Sequence, residues 1–207
     1  MNIVLGLVKA GIYIMFRPRV IWAEPSLKKA LKGKPCIFVS NHTSHTDGLF
    51  AGAVLNGFKP YSLVAKDWYD KKGMGFFLRH ARTVPIDRYN PDADWYITGQ
   101  EILGGGKPML VFPEGSTSKD GRMKEFKPGA ALLASKMSVP VIPCLIVGGY
   151  SKFFGPRQVF VIGKPVVMEC PENMRHSVYA KKQTEIIRRQ VEELAEIYGS
   201  AEQAVGR

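Results

Sequence analysis

Apolar and polar residues alternate in blocks along this chain, and the blocks predict strands with helices between them. Short apolar runs bounded by glycine, proline or charged residues are typical of buried strands, and longer runs with helical spacing predict helices. Ser177 is the predicted cap of the last helix, whose apolar stripe includes Ile187 and Val191. The other predicted helices are 48–55, 92–103 and 128–134, with a short helix or turn at 73–79, and the predicted strands are 36–39, 61–65, 83–86, 109–112, 139–147, 159–162 and 166–168.

The first polar corner, residues 41–47, lies between a predicted strand and a predicted helix. Corners of this kind sit at the carboxyl edge of a sheet, where α/β proteins bind ligands. His42 lies on the corner and Asp47 in the first helical turn, so the imidazole can fold back onto the carboxylate. Such a pair fixes the tautomer of the ring and lets it take a proton from a hydroxyl. The alternative is that Asp47 caps the helix and His42 is a satisfied corner histidine.

A second polar corner, residues 113–118, follows the predicted strand at 109–112. Glu114 either binds substrate hydroxyls or is a loop acid bonded to backbone amides. Gly115 either brings the backbone close to a ligand or adopts a positive φ. The loop that follows is strongly charged and lies beside the corner; its basic residues are Lys119, Arg122, Lys124 and Lys127.

Asp87 and Arg88 close the predicted strand at 83–86, in which Pro85 argues against a central position in the sheet. The guanidinium fork of Arg88 suits a phosphate. The alternative is an ion pair between Asp87 and Arg88 at the surface.

Residues 1–16 are mostly apolar and precede the basic segment 17–19. They are too few for a confident membrane span, which needs about 20 apolar residues. They also lack the basic start and cleavage site of a signal peptide. We expect residues 1–25 to form a membrane-associating helix that dips into one leaflet, with the basic segment at the headgroups, and residues 26–207 to form the main domain. The alternative is a first core helix.

The chain has 207 residues and a formal net charge of +11, which implies an anionic partner such as phosphate or a membrane face, or serves solubility. No basic stripe interleaved with aromatic residues is present, so nucleic acid is not an expected partner. The three cysteines are far apart and lie in apolar runs, which indicates neither a disulfide framework nor a metal site. A reducing compartment is therefore expected.

Four blocks in order resemble the glycerolipid acyltransferase family, typified by 1-acylglycerol-3-phosphate acyltransferases. Asn41-His42 with Asp47 resembles its NHxxxxD block, and the stretch that ends in Ile86-Asp87-Arg88 resembles its second block. Residues 112–116 resemble the third block and residues 139–143 the fourth. Residues 126–130 resemble the stretch that the family keeps between these two blocks. The resemblance covers about residues 34–164.

The resemblance implies an α/β fold in which helices flank a mixed, mostly parallel sheet in a single acyltransferase domain, with an N-terminal amphipathic helix. It implies transfer of a fatty acyl group from acyl-CoA or acyl-carrier protein to the hydroxyl of a lysophospholipid, with no metal and no other cofactor. His42 is then the general base and Asp47 orients it. The implied substrate-binding residues are Asn41, Arg88 for the acceptor phosphate, Glu114 and Gly115 for the glycerol part, Ser116 and Lys127.

Two departures from the family pattern affect the acceptor. Ser116-Thr117 stands where the family usually has Thr-Arg, so an arginine that contacts phosphate is missing. Lys119, Arg122 or Lys127 is the expected replacement, unless the acceptor is not a simple phosphomonoester. In the second block, Ala81-Arg82 stands where a glycine is common, so Arg79 or Arg82 can reach the site. We expect an enzyme on the cytoplasmic face of a membrane that converts lysophosphatidate to phosphatidate. The alternatives are the same reaction on another lysolipid, such as a lyso-aminolipid, or a non-catalytic basic module that binds membranes.

Overall fold

The computed structural model describes residues 3–87, 93–118, 122–148, 150 and 157–205. Its described part contains one seven-stranded sheet. The strands are β1 (Arg19–Trp22), β2 (Ile37–Ser40), β3 (Tyr61–Ala65), β4 (Thr83–Ile86), β5 (Met109–Val111), β6 (Val141–Val147) and β7 (Val159–Ile162).

The strands are ordered β1-β7-β6-β2-β5-β3-β4 across the sheet. The pairs from β6 to β4 are parallel, β1 is parallel to β7, and only the pairing of β6 with β7 is antiparallel among these strands. The prediction of a mixed, mostly parallel sheet is therefore confirmed. β4, which contains Pro85, lies at one edge, where its missing N–H costs no ladder bond on the open side.

Helices cover both faces of the sheet. Side chains alternate along each strand, so that Ile37 and Val39 enter one core and Cys36 and Phe38 enter the other. The helices at 94–104, 129–137 and 176–205 cover the first core, and those at 3–16 and 47–54 cover the second. The helices are α1 (Ile3–Phe16), α2 (Leu27–Ala30), α3 (Asp47–Val54), α4 (Met74–His80), α5 (Asp94–Gly104), α6 (Gly129–Met137) and α7 (His176–Val205), with short 3-10 turns at Leu55–Gly57 and Lys66–Trp68.

Three details differ from the predicted elements. β1 was not predicted, yet it pairs with β7 along its whole length. Val166 forms only an isolated bridge with Val141, so 166–168 is not a strand. Ser177 is not a cap, because the amides of Val178 and Tyr179 already donate to Arg175 O and the helix begins at His176.

The N-terminal segment is part of the fold as well as a candidate membrane surface. Ile12 and Phe16 of α1 are buried in the second core, while Leu7 and Ile14 are 68% and 67% exposed. β1 belongs to the sheet, so residues 1–25 supply both a core helix and an edge strand. Across the described residues, no helix combines the length and hydrophobicity needed to cross a bilayer.

The parallel strands β6, β2, β5, β3 and β4 all end at the same edge of the sheet. The first polar corner follows β2, the second follows β5, and Asp87 follows β4. The topology therefore gathers the blocks that are far apart in the sequence along one edge, which is where ligands bind in sheets of this kind.

Candidate active site

His42 and Asp47 form the pair that their spacing predicted. His42 Nδ1 lies 2.9 Å from Asp47 Oδ2. Because a carboxylate can only accept, Nδ1 carries the proton and Nε2 keeps its lone pair. The imidazole also stacks on Phe112, with ring centroids 4.5 Å apart. Contacts on its edge and its face therefore fix the orientation of the ring.

Asp47 is fully buried, and its carboxylate organises the corner as well as the histidine. Its Oδ2 accepts the backbone N–H groups of Thr43 at 2.6 Å and Ser44 at 2.8 Å. Its Oδ1 accepts the hydroxyl of Tyr150 at 2.5 Å. Asp47 is therefore the partner of His42 and does not cap the helix, because the amides it accepts precede α3, whose N-cap position is Thr46.

Glu114 joins the two corners. Its Oε1 accepts the backbone N–H of His42 at 2.7 Å and its Oε2 accepts that of Lys124 at 3.0 Å. Burial raises the pKa of Glu114, and the hydrogen bonds from Lys124 and His42 act in the opposite direction. Ser118 N–H donates to His42 O at 2.8 Å and ties the corners a second time. Glu114 thus has the geometry of the loop acid rather than of a ligand for substrate hydroxyls.

Asn41 is buried and bonded to a neighbouring strand. Its Nδ2 donates to Ile146 O at 3.1 Å, and Ile146 N–H donates to its Oδ1 at 2.8 Å. Both ends of the amide therefore bind the backbone of β6. This geometry fits a residue that holds the corner in place, and it does not fit the predicted contact with substrate.

Gly115, Ser116 and Thr117 form a loop that Lys124 and Lys127 contact. Gly115 has a φ of 71°, the left-handed conformation that glycine favours. Lys124 Nζ donates to Ser116 Oγ at 2.9 Å and to Thr117 O at 2.8 Å, so a lysine binds the two positions that depart from the family pattern. The Lys127 ammonium lies against Gly115, 3.1 Å from where a Cβ there would be.

A cavity of about 410 Å³ opens beside His42, and Gly115 and Lys127 also line it. This volume lies within the range of about 300–1,000 Å³ that is usual for small-molecule sites. Apolar side chains of α1, α3 and α4 make up much of the remaining wall, among them Val8, Leu49, Met74 and Phe77. The cavity therefore has polar groups at His42 and Lys127 and an apolar wall that suits a hydrocarbon chain.

The predicted phosphate contacts are only partly described. Arg88 and Lys119 lie outside the described residues, although Asp87, next to Arg88, lines the cavity. Arg82 also lines it, as its position in the second block suggested. Arg122 is exposed, and Arg79 packs along α4 near Gly75.

The sequence prediction did not include Tyr150 and Phe112 as site residues. Phe112 ends a predicted strand directly before the second corner, so its place beside His42 could have been inferred. Tyr150 follows the fourth block by a few residues. Tyr150 reaches Asp47 because β6 neighbours β2 in the sheet, and no sequence signal showed that pairing.

The arrangement can perform base chemistry on a hydroxyl. Nε2 is the ring nitrogen of His42 that Asp47 does not use, and His42 lines the cavity. A proton taken up there gives an imidazolium that the Asp47 carboxylate stabilises. Among the described residues no group of three histidine, cysteine, aspartate or glutamate side chains is placed to hold a metal ion.

Comparisons with known proteins match this chain to acyltransferases. A family model described as Acyltransferase matches residues 24–147. A chloroplastic 1-acyl-sn-glycerol-3-phosphate acyltransferase of Brassica napus is 33% identical over 117 residues, which are 55% of this chain and 33% of that protein. A 1-acyl-sn-glycerol-3-phosphate acyltransferase of Bacillus subtilis is 24% identical over 162 residues, 76% of this chain and 80% of that protein.

A solved structure shares the fold. The crystal structure of the 1-acyl-sn-glycerophosphate acyltransferase PlsC from Thermotoga maritima matches with a TM-score of 0.65 and 23% identity, over 92% of this chain and 79% of that chain. The matched region spans only 33% of the length of the Brassica napus protein and 32% of a similar chloroplastic protein from Arabidopsis thaliana.

Proposed function

Because this chain belongs to the acyltransferase family, whose model matches residues 24–147, we propose that it moves a fatty acyl group from an acyl thioester to the hydroxyl of a lysophospholipid. The observation that carries the proposal is the bond of 2.9 Å between His42 and Asp47 beside a cavity with apolar walls.

The reaction follows from the geometry of His42. Nε2 takes the proton of the acceptor hydroxyl as its oxygen attacks the thioester carbonyl, and the Asp47 carboxylate stabilises the imidazolium that forms. The tetrahedral intermediate then expels the thiolate, which takes the proton from His42. A new ester and a free thiol are the products, and the imidazole returns to its starting state.

Lysophosphatidate is the proposed acceptor, with phosphatidate as the product. The relatives from Brassica napus and Bacillus subtilis carry the name of that activity. Lys127 in the cavity wall and Arg88, which follows β4, are the proposed partners of the phosphate. The donor is acyl-CoA or acyl-carrier protein, both of which present the same thioester to His42.

A second acceptor class has a specific observation in its favour. Ser116 and Thr117 replace the usual Thr-Arg pair, and the Lys124 ammonium is engaged by both of them. A site with fewer free cations for phosphate suits a lysolipid without a phosphomonoester, such as a lyso-aminolipid. This alternative keeps the reaction and changes only the acceptor.

We also propose that the protein works as a peripheral protein on the cytoplasmic face of a membrane. The exposed Leu7 and Ile14 of α1 and the net charge of +11 support this location. Val8 of α1 lines the cavity, so a lipid that leaves the bilayer along α1 would reach the site directly.

The test is a transfer assay on the purified protein with a panel of lysolipids, each with one acyl-CoA and one acyl-carrier protein. We expect transfer to lysophosphatidate by the wild type. His42→Ala should lower kcat at least a hundredfold, because general base catalysis contributes about 10²–10⁴ in rate. His80→Ala is the matched control, since His80 is exposed at the end of α4.

Wild-type turnover in His42→Ala would remove the assignment of the base. Transfer only to lysolipids without a phosphomonoester would select the second acceptor class. No transfer from any donor to any acceptor by a folded wild type would favour the non-catalytic membrane-binding module.

A further inference from the structure

Tyr150 lies at the carboxyl end of β6 and reaches across to the site. Its hydroxyl donates to Asp47 Oδ1 at 2.5 Å. The opposite oxygen, Oδ2, is occupied by His42 and two backbone amides. Tyr150 therefore binds the side of the carboxylate that the corner itself leaves open, and with that bond neither oxygen is free to rotate away from the imidazole.

Aromatic packing sets the position of the tyrosine hydroxyl. The ring of Tyr150 packs edge-on against Phe16 of α1 at 5.1 Å and against Phe50 of α3 at 5.8 Å between centroids. Both phenylalanines are buried in the second core. The ring is thus clamped between two helices, one of which also carries Asp47 in its first turn.

The hydroxyl can act only as a donor at this place. Burial, followed by the nearby Asp47 carboxylate, raises the pKa of Tyr150 well above its ordinary value. The phenol therefore keeps its proton at neutral pH and donates it to Asp47.

We propose that Tyr150 is a positioning residue for acyl transfer, whose hydroxyl holds the Asp47 carboxylate in the orientation that His42 needs. The proposal rests on the proposed function, because it assigns Tyr150 a role in the same site. It adds a third member to the His42–Asp47 pair and makes the geometry of that pair depend on the packing of α1.

The bond also sets how strongly Asp47 supports a charge on His42. A donor on Oδ1 draws negative charge away from Oδ2, so the carboxylate stabilises the imidazolium less than it would without the tyrosine. Loss of the hydroxyl should therefore have two effects. The carboxylate is held less firmly, because only the bonds to Oδ2 remain, and this slows the reaction. In addition, His42 takes up its proton at higher pH.

Several other titratable groups share the cavity with His42, namely Lys9, His45, Lys59, Arg82, Asp87 and Lys127. Glu114 faces His42 from the second corner, and Lys124 lies next to Glu114. Beyond Asp47, α3 carries no charged residue, and Lys9 of α1 has its ammonium over the ring of Tyr13. All of these remain in a variant that lacks only the Tyr150 hydroxyl, so a change in titration reports on that hydroxyl.

The first test is Tyr150→Phe, which removes the hydroxyl and keeps the ring between Phe16 and Phe50. We expect kcat to fall about tenfold, the typical weight of a hydrogen bond to a charged group, with the KM for the acyl donor within about twofold of the wild type. The acidic limb of the pH–rate profile should move to higher pH. Tyr179→Phe, in the core on the other face of the sheet, is the matched control and should behave as the wild type.

A second readout does not depend on activity. The four histidines of the chain can be titrated by NMR, and the His42 signal is identified by its absence in His42→Ala. The pH at which His42 gains its proton should rise in Tyr150→Phe. If the wild type transfers no acyl group, this titration still tests the role of Tyr150, so failure of the proposed function and failure of this inference are distinguishable.

A third arm guards against misfolding of the phenylalanine variant. Incorporation of 3-fluorotyrosine at position 150 keeps the ring and the hydroxyl and makes the hydroxyl a stronger donor. His42 should then gain its proton at lower pH, the opposite direction to Tyr150→Phe. A titration of His42 that moves in neither variant would overturn the proposal, as would a kcat of Tyr150→Phe within twofold of the wild type.

Discussion

The two buried carboxylates of the site, Asp47 and Glu114, both accept hydrogen bonds from backbone amides. Asp47 accepts the N–H groups of Thr43 and Ser44, and Glu114 accepts those of His42 and Lys124. Carboxylates with these partners are fixed in place, because each backbone amide holds the oxygen that accepts its hydrogen bond. The proton chemistry of the proposed reaction therefore belongs to His42, and the two acids hold it where a substrate can reach it.

Lys127 is the described residue whose role in the acceptor site is open to a direct test. Its ammonium lies against Gly115 in the wall of the cavity. Lys127→Ala should raise the KM for lysophosphatidate about tenfold, because a charge-assisted bond to phosphate is lost, and should leave the KM for the acyl donor unchanged. Steady-state kinetics with each substrate varied in turn measures both. Lys136→Ala, exposed on α6, is the control, and an unchanged acceptor KM in Lys127→Ala would contradict the assignment.

Among the elements, α4 depends on one close approach of the backbone. A Cβ on Gly75 would lie 2.0 Å from the carbonyl oxygen of Tyr69 in the preceding turn. Met74 and Phe77, its helix neighbours, line the cavity. Any side chain at position 75 must therefore push α4 away from that turn and change the wall of the site.

Gly75→Ala should lower the free energy of unfolding by about 1–3 kcal/mol, the usual cost of overpacking. Gly104→Ala is the matched control at the end of α5, where the nearest atom would be 3.7 Å from the new Cβ. This control should be neutral or stabilise by up to about 1 kcal/mol, because alanine is the better helix former. Urea denaturation of both variants measures the difference, and equal stabilities would mean that α4 can shift without strain.

On the scale of the whole molecule, charge and exposed apolar surface favour the same partner. The net charge is +11, and α1 exposes Leu7 and Ile14 while its other side packs into the core. An anionic membrane satisfies both features, because it attracts the basic surface and takes up the apolar side chains.

Ile14→Glu should weaken sedimentation with anionic lipid vesicles about tenfold, because about 1.5–3 kcal/mol of apolar burial is lost. Ile97→Glu serves as the control, since Ile97 is 52% exposed on α5, which packs on the opposite face of the sheet. Added salt should also reduce binding of the wild type, as screening shortens the reach of its charges. Equal sedimentation of the wild type and both variants would exclude α1 as the membrane contact.

The sequence by itself determined the features that depend on local spacing. Apolar runs marked six of the seven strands, and the five-residue interval between His42 and Asp47 set the pair at the end of β2. Pro85 placed its strand at an edge, since proline cannot complete a ladder on both sides. In each case the cause lies within a few residues of its effect, so the pattern carries it.

Only the tertiary structure decided the features that join distant parts of the chain. β1 has a short apolar run between Arg19 and Glu24 and becomes a strand because β7 pairs with it. Asn41 turned out to bind Ile146, and Tyr150 to bind Asp47, across 105 and 103 residues. These contacts arise from the strand order, which places β6 beside β2. Hydrophobic period and spacing do not show which strands become neighbours, so these two contacts could be found only once the sheet was assembled.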